Sequence, residues 1–287
     1  MSRLTSHEEF IKQLDRFHVV LKKNVSNQYQ GSRQTQISGG GLTFKDYKDY
    51  VRGDDFRNID WRVYARTDKF YIRRYEEERD LIVHIIVDAS GSMNFGSPTK
   101  YEYASLLGIG FAYLALKNNE KFDFSTFAEE MSPVRAQKGK KQLAKLLDYL
   151  TSHNIQGKTR FESLQKATKL VKTKSFMVLI SDFLYDAKEI ESVLARYKHS
   201  QILCIQVLDP IETAFSLQGD YVLEDMELGT RIRTFITRRL KNQYRREMQE
   251  HIDSIKSTAQ ALGHEFITVH TGEEIFDAFY KAYKALS

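Results

Sequence analysis

The chain has 287 residues, of which 41% are hydrophobic and 28% are charged, and its formal net charge is +5. This length allows one large domain, or one domain with an elaborated flank. The one cysteine excludes a disulfide framework and disfavours a thiolate zinc site, and no apolar run approaches the length of a membrane span. The charged N-terminus lacks a signal-peptide core, so we expect a cytoplasmic protein.

The first eighty residues form a flank of unusual composition. Apolar residues at helical spacing over 7–23 predict an amphipathic helix, and residues 24–43 indicate a loop that ends in three glycines. Residues 44–80 mix aromatic residues, arginines and aspartates, and 69–76 alternate as a strand does. Because arginine binds carboxylates in a bidentate manner, we expect this tract to fasten the flank, residues 1–80, to the main domain. The alternative is a docking surface for a partner.

Residues 81–287 alternate between predicted strands and helices, which indicates a mostly parallel α/β sheet with helices on both faces. An insertion at about 211–237 interrupts this alternation and predicts a β-hairpin. The predicted strands are 81–88, 122–127, 131–135, 175–181, 201–208 and 264–270. The predicted helices are 99–117, 140–152, 160–172, 187–198, 238–262 and 273–286.

Polar residues follow two buried strands of this predicted sheet. The sequence Asp88-Ala-Ser90-Gly-Ser92 comes at the end of the first, and Asp182 follows the strand 175–181. A third loop, before the helix 160–172, contributes Thr159. Ligands of open α/β sheets bind outside the carboxyl ends of the strands, and an all-oxygen set suits Mg²⁺, or another divalent cation such as Mn²⁺ or Ca²⁺. Each loop taken alone also fits a simple helix or turn cap.

This pattern resembles the metal-ion-dependent adhesion site of von Willebrand factor A-type domains, with Asp88, Ser90 and Ser92, then Thr159, then Asp182 as metal ligands. The tract Arg52-Gly53-Asp54-Asp55 and Ile59-Asp60-Trp61, followed by Ala65-Arg66, resembles the domain of unknown function 58 family. The resemblance runs from about residue 30 to beyond residue 210. It implies a von Willebrand A-like, Rossmann-like domain and a partnership with a MoxR-type AAA+ ATPase in the assembly or maturation of other proteins.

Two features depart from that resemblance. Many members of the family carry N-terminal membrane helices, and we expect none in this sequence. The third metal loop is often Asp-Gly in A domains but reads Asp182-Phe183 here, and a bulky neighbour would narrow access to the metal.

The predicted site favours binding over catalysis. Hydroxyl ligands are neutral, so a bound metal keeps much of its charge and attracts an acidic side chain of a partner protein. A hydrolase would also need a base or nucleophile. His84 lies inside a strand, and His153 follows a helix where it is more simply a surface residue. We therefore predict a protein that is not an enzyme, with a metal-dependent phosphoester hydrolase as the alternative.

Candidate partner surfaces lie in two other stretches. A basic run at 238–246 is most simply a solvated helix face, with contact to an acidic partner as the alternative and nucleic-acid binding less favoured because no binding module is recognisable. The residues predicted for partner contact are Arg52, Asp54, Asp55, Arg57, Asp60, Trp61, Arg238, Arg239, Arg245 and Arg246.

Overall fold

A computed structural model describes residues 12–15, 42–51, 54–77, 82–128, 131–133, 136–152, 163–164, 175–197, 200–215, 217–224 and 230–286. The chain divides into two units, a smaller one of residues 33–80 and a larger one of residues 1–32 together with 81–287.

The smaller unit contains a two-stranded antiparallel sheet and a short helix that lies between the two strands along the chain. Strand β1 (Leu42–Asp49) pairs with β2 (Tyr71–Glu77), and helix α1 (Trp61–Thr67) lies between them. Asp60 starts α1, because its side chain accepts hydrogen bonds from the first backbone N–H groups of the helix. The predicted strand over 69–76 is confirmed, whereas β1 and α1 were not expected from the sequence.

A six-stranded sheet organises the larger unit, and the predicted α/β fold class is confirmed. Five strands run parallel, in the order β10, β7, β6, β3 and β4, and β5 closes the edge antiparallel to β4. The strands are β3 (Ile82–Asp88), β4 (Lys121–Phe127), β5 (Met131–Pro133), β6 (Ser175–Ser181), β7 (Gln201–Leu208) and β10 (Glu265–His270).

Helices cover both faces of this sheet, as predicted. On one face α2, α3 and α7 bury a core that includes Val83, Ile85 and Val87, and on the other α4 and α6 pack over a core that includes Ile86. The helices are α2 (Lys100–Lys117), α3 (Lys140–Ser152), α4 (Ala187–Leu194), α5 (Pro210–Ala214), α6 (Arg238–Ala261) and α7 (Ile275–Lys284). The alternation of β3 side chains between two apolar cores explains why that strand is apolar throughout.

Other elements of the larger unit compare with the predictions as follows. The helix expected over 187–198 ends at Leu194 and continues as a 3-10 turn, Ala195–Tyr197. The hairpin of the insertion is confirmed as β8 (Gly219–Glu224) paired with β9 (Arg231–Ile236), but α5 before it was not expected. Most of the helices predicted over 7–23 and 160–172 lie outside the described residues.

Helix α2 lies unusually close to the sheet because of one glycine. A Cβ atom at Gly108 would stand 3.1 Å from Ile85 Cγ2 and 3.2 Å from Phe124 Cε2. These contacts are tight, and a side chain here would require Ile85 and Phe124 to shift by a few tenths of an ångström, so glycine suits the close approach. The middle of α2 therefore packs directly on β3 and β4.

Candidate metal centre

The first predicted metal loop lies where β3 ends beside β6. Asp88 is the last residue of β3, and Ser90 and Ser92 follow it at the start of a short 3-10 turn. Asp88 and Ser90 are both fully buried. Because β3 and β6 are parallel neighbours, the residues that follow them share one edge of the sheet.

Hydrogen bonds join the two serines to Asp182, the residue after β6. Ser90 Oγ lies 2.9 Å from Ser92 Oγ, and Ser92 Oγ donates to Asp182 Oδ2 at 2.7 Å. Asp182 is buried, and its other carboxylate oxygen accepts a hydrogen bond from Leu184 N at 3.2 Å. Two hydrogen bonds in series therefore bring together oxygen atoms from two loops that are distant in sequence.

Asp88 is held by donors on three sides. Its Oδ1 accepts from Ser90 N at 2.9 Å, and its Oδ2 accepts from Ser181 Oγ at 2.6 Å and Tyr185 OH at 2.7 Å. Burial, assisted by the charge of Asp182, raises the pKa of Asp88 to about 7 although these hydrogen bonds favour the ionised form. Among the described residues, no cation forms an ion pair with Asp88.

A buried lysine, which sequence reasoning missed, completes the site. Lys100 is 0% exposed, and its Nζ lies 2.9 Å from Asp182 Oδ2 and 2.6 Å from Glu212 Oε1. Burial opposes its charge, but the neighbouring carboxylates Asp182 and Glu212 outweigh burial and raise the pKa of Lys100. We call Asp88, Lys100, Asp182 and Glu212 the charged cluster.

Local structure places Lys100 and Glu212 in this cluster. Thr99 caps α2 in a capping box with Glu102, so the helix begins at Lys100. Asp209 caps α5 in the same manner with Glu212 itself, whose Oε2 accepts from Asp209 N at 2.8 Å. The two capping boxes are visible in the sequence, as Thr-x-x-Glu and Asp-x-x-Glu, and were the one signal that could have located the new residues.

Phe183, the bulky neighbour of Asp182, does not lie over the loop. Its side chain is 0% exposed and packs in the core against Phe266, with ring centroids 5.6 Å apart. Its backbone has a positive φ of 52°, an uncommon conformation for an aromatic residue. The turn after Asp182 is thus fixed by a side chain directed into the core.

The residues at this site fit a hard divalent cation. The donors are hydroxyl and carboxylate oxygens, which suit Mg²⁺. Asp88 and Asp182 are buried carboxyls whose negative charges disfavour one another, and a divalent cation would relieve that repulsion. Within the described ranges, no three His, Cys, Asp or Glu residues are arranged to hold a metal, so the hydroxyls would be needed as ligands. Thr159, the remaining predicted ligand, lies outside the described residues.

The predicted partner residues of the flank lie in the smaller unit, apart from Arg52, which is outside the described residues. Asp54 forms an ion pair with Lys48 at 3.0 Å. Asp55 caps the 3-10 turn Phe56–Asn58 and forms an ion pair with Arg57. These contacts, with Lys48 and with Arg57 respectively, lower the pKa values of Asp54 and Asp55.

An aromatic group accompanies those charges. Trp61 is 58% exposed and makes edge contacts with Tyr64 and Phe70, which stack on each other at 4.5 Å. Asp60, by contrast, is buried and accepts a hydrogen bond from Tyr47 OH, so its role is to cap α1. The tract thus contains both structural and exposed residues.

The predicted basic residues of 238–246 lie on α6. Arg238, Arg239, Arg245 and Arg246 are exposed. Arg245 Nε donates to the carbonyl of Ala214 at 2.7 Å, which ties α6 to the end of α5. Arg246 lies 3.7 Å from Glu250 one turn along the helix. At least one arginine of this run therefore has a structural contact.

No histidine among the described residues contacts the predicted metal ligands. His84 is buried in the middle of β3 and its Nδ1 lies 2.7 Å from Asp123 Oδ2 on β4. His153 lies outside the described residues. The described part of the site therefore presents oxygen ligands and an ammonium group, without an imidazole base.

A family model described as "Protein of unknown function DUF58" matches residues 46–254. The chain belongs to this family. The predicted membership of the DUF58 family is thereby confirmed, and the predicted mostly parallel α/β sheet is seen in the structure.

The chain is similar to other proteins and solved structures at low sequence identity. An uncharacterised protein of Mycobacterium tuberculosis is 24% identical over 265 residues, which cover 89% of this chain and 83% of that protein. An aerotolerance-related membrane protein from Bacteroides fragilis has 16% identity and a TM-score of 0.47, over 72% of this chain and 98% of that chain. The VWA domain of SpRpn10 has 14% identity and a TM-score of 0.42, over 71% of this chain and 95% of that chain. Among the described residues of this chain, no helix combines the length and apolar character needed to cross a membrane.

Proposed function

We propose that this protein is a divalent-metal-dependent protein-binding module. Asp88, Ser90, Ser92 and Asp182 would hold Mg²⁺ or a similar ion, with Thr159 completing the set. The convergence of Ser90 Oγ, Ser92 Oγ and Asp182 Oδ2, joined at 2.9 Å and 2.7 Å, is the observation that carries the proposal. Bound there, the ion would supply an electrophilic centre for a carboxylate oxygen of the partner.

The protein's own residues would shape and hold this site. Ser181 and Tyr185 orient Asp88 through its Oδ2, while Ser90 N fixes its Oδ1. The core position of Phe183 holds the turn that carries Asp182. These contacts limit rearrangement of the ligands, which favours a rigid recognition site.

The partner that the family resemblance implies is a MoxR-type AAA+ ATPase, with the pair acting in the assembly or maturation of other proteins. A partner that offers an exposed Asp or Glu fits a metal with mostly neutral ligands. The exposed residues Trp61 and Arg57 in the smaller unit would provide a second contact surface, since tryptophan and arginine are frequent in binding hot spots.

A phosphoester hydrolase is less well supported by the same residues. Lys100 is bound to two carboxylates, so its ammonium group is not available as a base. No histidine among the described residues contacts the predicted metal ligands, so the described part of the site lacks the imidazole base that a hydrolase would most often use.

Binding of a purified MoxR-type ATPase from the same genome, measured in Mg²⁺ and in chelator, tests the proposal. We expect binding in Mg²⁺ that is lost in chelator and in Ser92→Ala, and kept in Ser257→Ala, a control at an exposed serine of α6. Binding that ignores chelator and Ser92→Ala alike would sink the metal-mediated form of the proposal. Metal-dependent turnover of phosphoesters that Asp182→Ala abolishes would favour the hydrolase instead.

A further inference from the structure

Lys100 shares an oxygen atom with the proposed metal ligands. Asp182 Oδ2 accepts from Ser92 Oγ at 2.7 Å and from Lys100 Nζ at 2.9 Å. The lysine ammonium therefore stands beside the same carboxylate oxygen that a bound metal would use. Glu212 Oε1, 2.6 Å from Nζ on the other side, is its second counter-charge.

The ammonium group is a fixed part of the site. Lys100 is fully buried, and its backbone N–H donates to Phe95 O at 2.9 Å. The capping box of Thr99 and Glu102 sets the first turn of α2, with reciprocal hydrogen bonds of 3.1 Å. The side chain is buried between two carboxylates, so its charge faces Asp182 in the ion-free structure.

This fixed charge has two opposite consequences. Without an ion, Lys100 compensates part of the negative charge of the cluster, where Asp182 would otherwise be a buried carboxylate lacking a cation. With an ion, the ammonium repels any second cation that binds Asp182, and the low dielectric of a buried site strengthens that repulsion. The same contact thus stabilises the empty site and opposes its loading.

We infer that Lys100 weakens divalent-metal binding at Asp182 and takes the place of the metal as the counter-charge of Asp182 when the site is empty. The inference rests on the proposed metal site. It implies that metal binding here is weaker and more readily reversed than the oxygen ligands alone would give, because the ion competes electrostatically with a cation built into the chain.

Calorimetric titration with Mg²⁺ and with Mn²⁺ of chelator-treated wild type, Lys100→Met and Lys141→Met tests this inference. Methionine keeps the length of the side chain and removes its charge, and Lys141 is an exposed lysine of α3 that serves as the matched control. We expect Lys100→Met to bind the ion at least about tenfold more tightly than wild type, since removal of one nearby charge changes a binding constant by that order. We expect Lys141→Met to match wild type.

Thermal unfolding of the same proteins gives an independent readout. Without metal, Lys100→Met should melt below wild type, and added metal should raise its melting temperature more than it raises that of wild type. Equal or weaker metal affinity in Lys100→Met, in a wild type that binds the ion, would overturn the inference and leave the metal site standing. If neither protein binds an ion, the proposed metal site itself is wrong.

Lys100→Gln keeps the inference testable if Lys100→Met does not fold. Glutamine removes the charge and keeps a hydrogen-bond donor between the two carboxylates. We expect Lys100→Gln to bind Mg²⁺ and Mn²⁺ more tightly than wild type. Unchanged or weaker affinity in this variant would also overturn the inference.

Discussion

Two groups of charged residues in this protein differ sharply in their surroundings. In the charged cluster, Lys100 and Asp182 are 0% and 1% exposed in their side chains. In the β8–β9 hairpin, Arg233 pairs with Asp220 across the strands, but their side chains are 76% and 47% exposed. Both are ion pairs by distance, yet only the first is shielded from water.

The difference in exposure determines how strongly each charged residue affects stability. Water compensates Arg233 and Asp220 individually, so neither depends on the other. Lys100 and Asp182 have no such compensation, and loss of one leaves the other buried without its partner. A charged residue of the cluster therefore affects stability and ion binding together, whereas a charged residue of the hairpin affects mainly the surface.

The comparison is tested most severely by Asp182→Ala. This substitution removes the acceptor of Lys100 Nζ and of Ser92 Oγ. We expect the free energy of unfolding to fall by about 3–5 kcal/mol, the usual cost of breaking a buried ion pair from one side. Urea unfolding in chelator measures it, with Asp220→Ala of the hairpin as the control. Similar small losses in both variants would show that the cluster is not energetically distinct.

Stability should also depend on pH through Asp88. Its pKa is raised from 3.8 to about 7 in the folded state, so folding retains a proton between these values that the unfolded chain has released. Stability should fall as pH rises from about 4 to about 7 and then level off, with a slope of at most about 1.4 kcal/mol per pH unit.

Asp88→Asn isolates this contribution. Burial also raises the pKa of Glu120 to about 7, which adds a slope of the same sign to both proteins. The difference between wild type and Asp88→Asn, from urea unfolding at several pH values in chelator, therefore reports Asp88 alone. Parallel pH profiles for the two proteins would contradict the assignment.

A smaller effect is expected at Thr99, which starts the helix that carries Lys100. Thr99→Ala removes the acceptor for Glu102 N and should lower the free energy of unfolding by about 1 kcal/mol. Thr99→Ser keeps the hydroxyl and should restore most of this loss. A Thr99→Ala variant as stable as wild type would mean that the cap does not hold the start of α2.

The smallest effect is expected in the hairpin. Arg233→Ala breaks an exposed ion pair, and its melting temperature should equal that of wild type within measurement error. A clear decrease would mean that the hairpin charges are less independent than their exposure indicates, and the contrast with the charged cluster would then weaken.

The strands and helices of the larger unit were predicted well because their apolar runs and their helical periodicity are visible in the sequence. The run from Ile82 to Asp88 has both faces in apolar cores, so its composition alone indicates a buried strand. β1 and α1 were missed because aromatic and charged residues are mixed there in an order that shows neither the period of a helix nor that of a strand. The five-residue helix α5 is too short to show a period.

Only those residues of the candidate site that lie at the polar ends of buried strands could be located from the sequence. Asp88 ends a buried strand, Ser90, Ser92 and Asp182 follow buried strands, and parallel strands bring such residues to one edge. Lys100 was missed because a lysine in the first turn of a helix is ordinarily solvated, and only the folded chain reveals its burial. Ser181 and Tyr185 were missed because their contact with Asp88 joins residues more than ninety positions apart.

Metal binding itself is the most direct test of the central claim that Asp88, Ser90, Ser92 and Asp182 form a divalent-metal site. Chelator-treated wild type, a Ser90→Ala/Ser92→Ala double variant and the control Ser257→Ala can be titrated with Mg²⁺ and Mn²⁺ by calorimetry. We predict saturable binding of one ion per chain to wild type and control, and its loss in the double variant, because the hydroxyls supply oxygen ligands. Binding of equal strength in the double variant, or none in wild type, would contradict the account.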